Sequence, residues 1–99
     1  MRPDLKSGNF CLEGHIDVPE DKRQAVAAAL DEHIALTRAE PGCIYFHVDP
    51  DVDIPGRYLV SEAFVDAAAF EAHQIRAKGS RWAEASSGVP RSYQTSIVE

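Results

Sequence analysis

From Phe10 to Val98 the period of the apolar residues changes in a fixed order: two, about 3.6, two, two, about 3.6, two. Phe10, Leu12, Gly14 and Ile16 alternate with Cys11, Glu13, His15 and Asp17, which predicts a strand over 10–18. Pro19 suits the first turn of a helix, and Glu20 and Asp21 suit its positive end. Val26, Leu30, Ile34 and Thr37 then recur at helical spacing to about Ala39, where Pro41-Gly42 stops the helix. Residues 43–49 and 58–65 read as two strands joined by a hairpin loop over 50–57. Asp66 is a good N-cap, with Val65 and Phe70 at hydrophobic-staple positions, for a helix that reaches Lys78 and closes at Gly79. Ser80 caps one further turn through Ala85, and 93–98 is a last strand.

The order β-α-β-β-α-β predicts an α+β, ferredoxin-like domain: an antiparallel four-stranded sheet with two helices on one face. Two helices cover one sheet face only. The second strand sets Ile44, Phe46 and Val48 against Cys43, Tyr45 and His47. The third sets Tyr58, Val60, Glu62 and Phe64 against Leu59, Ser61, Ala63 and Val65. Rings are expected on both faces, with Ile44, Phe46 and Leu59 on one and Tyr45, Tyr58, Val60 and Phe64 on the other. An open face of that kind is an apolar patch. The expected cover is a second copy, giving a two-fold homodimer through the sheet face.

Ninety-nine residues make one domain, placed at 9–99, with the polar residues 1–8 as a loose N-terminal tail or arm. A net charge of -6 argues against a nucleic-acid partner, and no basic stripe addresses an anionic membrane. No secretory leader and no transmembrane run is visible, so the expected location is cytoplasmic. There Cys11 and Cys43 are expected to be reduced and buried. Asp49-Pro50-Asp51-Val52-Asp53 imitates a calcium loop, but Ile54 stands where that loop needs Gly and Val60 where it needs a carboxylate. Without a phosphate loop, dinucleotide fingerprint or zinc spacing, no cofactor and no metal is expected. A metal set of His15, His47 and Glu13 has no signature spacing.

Two residues carry the catalytic expectation. His73 has an imidazole whose ordinary pKa suits proton abstraction from a phenol or enol. Glu62 sits between Val60 and Phe64 on its strand face, so burial is expected to raise its pKa. It either assists His73 or pairs structurally, with Arg57 or Arg91 as partner. Phe64, Phe70, Trp82 and Tyr45 are the expected substrate-binding rings, with Trp82 at a cavity lip. Arg76, Lys78 and Arg81 are a basic cluster beside a helix end, where they either steer an anionic substrate or sit against the dipole. His33 is read as a surface or edge residue of the first helix.

Glu40-Pro41-Gly42-Cys43-Ile44, Tyr58-Leu59-Val60-Ser61-Glu62-Ala63-Phe64 and Ala69-Phe70-Glu71-Ala72-His73 stand in the order and spacing of a known family. Over about residues 9–98 the chain resembles the antibiotic biosynthesis monooxygenase family of dimeric ferredoxin-like α+β barrels. The family includes cofactor-independent oxygenases of quinols and polyketide aromatics, haem-degrading enzymes and isomerases. The resemblance implies that His73 faces a cavity between sheet and helices. Phe64 stands where most members carry Trp. Glu13 lies near the strand-one Asn of the haem-degrading branch and His73 at its helix-two Trp, so haem degradation is not implied. The expectation is therefore a cofactor-independent monooxygenase that oxidises a small quinol or polyhydroxy-aromatic with O2. The rivals are a cofactor-free isomerase of a small hydroxy-ketone and a non-catalytic dimeric binding module.

Overall fold

The computed structural model describes residues 5–99. Strand β1 (Phe10–Asp17) leads through a 3-10 turn at Glu20–Lys22 into helix α1 (Arg23–Arg38). Strands β2 (Cys43–Pro50) and β3 (Arg57–Phe64) form the hairpin. Helices α2 (Ala67–Lys78) and α3 (Arg81–Ala85) precede β4 (Arg91–Ile97). The sheet order is β2-β3-β1-β4, antiparallel throughout, and this is the ferredoxin-like arrangement. Its shortest dimension, 19 Å, is about that of one sheet plus one helix layer.

The helix starts follow the residues at their caps. Asp66 accepts from the Ala69 N–H at 2.8 Å and Ser80 from the Ala83 N–H at 3.2 Å, so each side chain takes one of the donors that a helix start leaves unpaired. Helix α1 buries Val26, Leu30, His33 and Thr37, spaced four, three and four, against Leu12, Ile16, Phe46 and Val60 of the sheet. Val18 and Val89 close the two strand ends over this core.

A bulge between Cys43 and Tyr45 changes the expected faces of β2. Beyond it the alternation holds, and Phe46 and Val48 join the core under the helices. Before it the alternation slips by one. Cys43 packs against the helix-side core, and Ile44 joins Tyr45 on the open face. The two rings-bearing faces are thereby corrected. Phe46 pairs with Glu62 and Val48 with Val60, so Phe46, Tyr58, Val60 and Phe64 share the helix side. The open face keeps Ile44, Tyr45 and Leu59. Its other members include Glu13, His15, His47 and Ser61, so it is mainly polar.

Residues 1–4 of the expected arm lie outside the described residues. Leu5 packs on the small open-face cluster of Cys11, Tyr45 and Ala63, and the Gly8 N–H donates to the Val98 carbonyl at 2.8 Å. Cys11 faces the open side and Cys43 the helix side, and no disulfide joins them. Burial, and then the charges of Glu40 and Glu62, push the Cys43 thiol up to about 11. No helix among the described residues is long and apolar enough to cross a membrane.

Candidate active site

Helix α2 brings His73 down onto β3, and the turn after α1 brings Glu40 up beside it. Ala69, Phe70, His73 and Ala77 have the three-to-four spacing of one helical face, with Arg76 at its edge. Gly42 permits this approach, because a Cβ there would run into the Ala69 methyl. Nδ1 of His73 and Oε1 of Glu40 lie 2.8 Å apart. Oε2 of the same carboxylate accepts from Arg76 Nε at 3.0 Å, and Arg76 Nη2 donates to the Thr37 hydroxyl at 3.0 Å. Thr37 in turn donates to the His33 carbonyl at 2.7 Å. One carboxylate thus clamps the imidazole and the guanidinium of one helix.

On the other edge of the imidazole, Nε2 lies 4.0 Å from Glu62 Oε1. Glu62 and His73 are 6% and 4% exposed, so both charged forms are desolvated. Burial, and then the charge of Glu40, push Glu62 up to about 8. Burial also lowers His73, against the opposing pull of its bond to Glu40. At neutral pH the pair is a carboxylic acid beside a neutral imidazole. With Nδ1–H donated to Glu40, the accepting nitrogen is Nε2, on the edge nearer Glu62. Glu62 Oε1 itself is buried without a hydrogen-bond partner.

Rings surround the imidazole. Phe64 lies 5.0 Å from it by centroid, Phe46 5.7 Å and Phe70 6.2 Å. Phe70 stacks on Phe10 at 4.3 Å. A cleft of about 290 Å³ beside α2 ends on His73 and Phe64, with Glu40, Gly42, Ala69 and Ala72 among its walls. It lies at the lower end of ordinary ligand sites and has room for a small aromatic ring.

The structure thus brings together His73, Glu62, Phe64 and Phe70. Trp82 stands further off and stacks on His33 at 4.9 Å. Tyr45 is on the opposite face of the sheet, stacked on His47 at 5.5 Å, so it does not line this site. Neither expected partner reaches Glu62: Arg57 holds Asp17 at 2.7 and 3.1 Å, and Arg91 donates to the Ser86 carbonyl. The basic cluster also dissolves, since Arg76 is bound by Glu40 and Arg81 lies 3.9 Å from Glu32. His33 is 5% exposed and not an edge residue, because Phe46 and Trp82 close over it; burial lowers its pKa to about 3. Among the described residues no three His, Cys, Asp or Glu side chains converge as a metal site.

Glu40 is the site residue that the sequence reading missed. Its signal was the pair His73 and Arg76, three apart on one helical face and therefore able to share one carboxylate.

A ferredoxin-like sheet with a buried carboxyl and imidazole under its second helix defines a small α+β domain with a titratable pair in its interior. The family description "Antibiotic biosynthesis monooxygenase" matches residues 9–85, and the chain belongs to that family. Solved structures share the fold. Protein SO0527 of Shewanella oneidensis is 26% identical, covers 94% of this chain and 93% of its own, and has a TM-score of 0.72. PA3566 of Pseudomonas aeruginosa is 20% identical over 98% of this chain and 99% of its own, with a TM-score of 0.76. A Deinococcus radiodurans protein, named as a candidate antibiotic biosynthesis monooxygenase, is 18% identical over 91% of this chain and 92% of its own, with a TM-score of 0.78. No curated protein matches the sequence. Family membership supports a monooxygenase-like role at the level of the family.

Proposed function

We propose that the protein is a cofactor-independent monooxygenase that oxidises a small, electron-rich quinol or polyhydroxy-aromatic with O2. The observation that carries the reading is His73: a neutral imidazole, fixed at Nδ1 by Glu40 at 2.8 Å, on the wall of a cleft with room for a small aromatic ring. A neutral imidazole accepts a phenolic proton, and a phenolate gives an electron to O2 far more readily than the phenol does. Quinol plus O2 yields hydroxyquinone plus water, so the stoichiometry balances without an external reductant. The protein supplies binding, deprotonation and a preorganised polar surround. Phe64 would hold the ring, with Phe70 packed edge-on against Phe64. A homodimer through the open sheet face belongs to the same reading.

The 4% exposure of His73 favours one rival, a non-catalytic dimeric module in which Glu40, His73 and Arg76 lock α2 to the body of the domain. Oxygen uptake with a panel of one-ring quinols separates the two. The oxygenase reading expects turnover by wild type and a loss on the order of 10²-fold or more in His73→Ala. Equal rates in the two proteins would remove His73 from the mechanism. No uptake with any quinol would sink the oxygenase reading.

A further inference from the structure

We propose that Glu62 is a catalytic acid, and that the ionising hydroxyl of the substrate binds between Glu62 Oε1 and His73 Nε2. This rests on the reading of His73 as the base. The gap of 4.0 Å is too long for a direct hydrogen bond. It is short enough for one oxygen atom to lie about 2.8 Å from both ends. Oε1 is buried and lacks a partner, so the position asks for a polar atom that the chain does not supply.

The surroundings decide which group gives and which takes. Glu62 is faced by His73 of α2, Glu40 of the turn after α1, Cys43 of β2 and Tyr93 of β4. Arg76, the permanent cation beside His73, gives its Nε to Glu40 and its Nη2 to Thr37, its Nη1 is buried without a partner, and it makes no ion pair with Glu62. Nothing offsets a negative charge on Glu62, which keeps its proton and donates it. Nε2 of His73 has a lone pair and accepts. A hydroxyl between them meets an acceptor for its hydrogen and a donor for its oxygen.

The steps close. The hydroxyl proton passes to His73 Nε2, and the Glu62 O–H holds the phenolate oxygen. The phenolate gives one electron to O2, and the radical pair joins as a C–O bond at the neighbouring ring carbon. Glu62 protonates the resulting peroxide anion. Its carboxylate then takes the proton from that ring carbon while the O–O bond breaks. The departing hydroxide takes the proton from His73 and leaves as water. The second carbonyl is formed, and both side chains regain their starting states.

Two measurements on the intact protein test this. The first is anaerobic binding of 4-nitrophenol, whose absorbance distinguishes phenol from phenolate and needs no reaction with O2. Wild type and Glu62→Gln, whose amide still donates, are expected to bind it as the phenolate, and His73→Ala as the phenol. The second is the pH profile of oxygen uptake. Wild type should lose activity as pH rises through about 8, where Glu62 loses its proton. Glu62→Gln should turn over on the order of 10²-fold more slowly, with little change in KM and no such alkaline arm. Turnover of Glu62→Gln within about threefold of wild type, with the arm retained, overturns the proposal. If Glu62→Gln does not fold, the wild-type profile decides, and absence of the arm overturns it. Ionised nitrophenol without oxygen uptake would sink the oxygenase reading and keep the hydroxyl site. Oxygen uptake with nitrophenol bound only as the phenol overturns the hydroxyl site and keeps the oxygenase.

Discussion

Glu62 places a proton, rather than a charge, at the centre of the helix-side core. In the unfolded chain it ionises near 4.5, and in the fold it holds its proton to about 8. The folded state therefore binds more protons between these values, and Glu62 erodes stability as pH rises through that window. His33 acts in the opposite sense. Its folded pKa of about 3 lies below the unfolded 6.5, so stability grows as pH rises between them, and the lowered His73 adds to that gain. The opposing slopes offset one another from 4.5 to 6.5, which leaves maximal stability near pH 6.5 and a fall toward pH 8. Urea denaturation should show that maximum in wild type. Glu62→Gln should be more stable than wild type at pH 8, by on the order of 4 kcal/mol at most, and equal to it at pH 4. An unchanged difference across that range would mean that Glu62 ionises in the fold at its unfolded pKa. At this scale the sequence was partly legible. Apolar neighbours on the strand face of Glu62 foretold its burial and its raised pKa. The Glu40–His73 bond was not legible, because it joins residues 33 positions apart whose meeting depends on how α2 docks.

At the scale of elements, period and caps were legible for a local reason. Strand alternation, the helical spacing of Val26, Leu30 and Thr37, and the cap residues Asp66 and Ser80 are each written within a few residues of where they act. The bulge before Tyr45 was not. It depends on the registry of β2 against β3 and moves Cys43 and Ile44 to faces that simple alternation denies them. Helix α2 is the element whose hold matters most for the site, since it carries both Phe70 and His73. Its first turn relies on the Asp66 carboxylate, which accepts from the Ala69 N–H. Asp66→Ala should cost about 1 kcal/mol in denaturant unfolding. Amide exchange should quicken in the first turn of α2, while β1 and β3 remain protected. Uniform acceleration over the whole domain would show instead that α2 does not open separately from the sheet.

For the whole molecule, one sheet face lies under helices and the other is open. Rows across the open face run Ser96, Cys11, Ala63, Tyr45, and then Gln94, Glu13, Ser61, His47. The first row is small and mostly apolar, and Leu5 and Val98 lie against it. The second is polar. The apolar patch inferred from the sequence is thus smaller than expected, because Phe46, Tyr58 and Phe64 turn toward the helices. What argues for a partner is more specific. Leu59 is 49% exposed on this face, and the buried Tyr45 hydroxyl has no hydrogen-bond partner. A two-fold copy packed sheet against sheet would cover the leucine and offer polar groups to the hydroxyl. Light scattering across a dilution series should give twice the chain mass. Leu59→Asp places a carboxylate on the face that a second copy would cover and should give the monomer mass. Its far-ultraviolet spectrum should be unchanged, because Leu59 lies outside both buried clusters. A wild-type chain that remains monomeric at every concentration would show that the open face needs no second copy, and the polar second row would then be ordinary solvated surface.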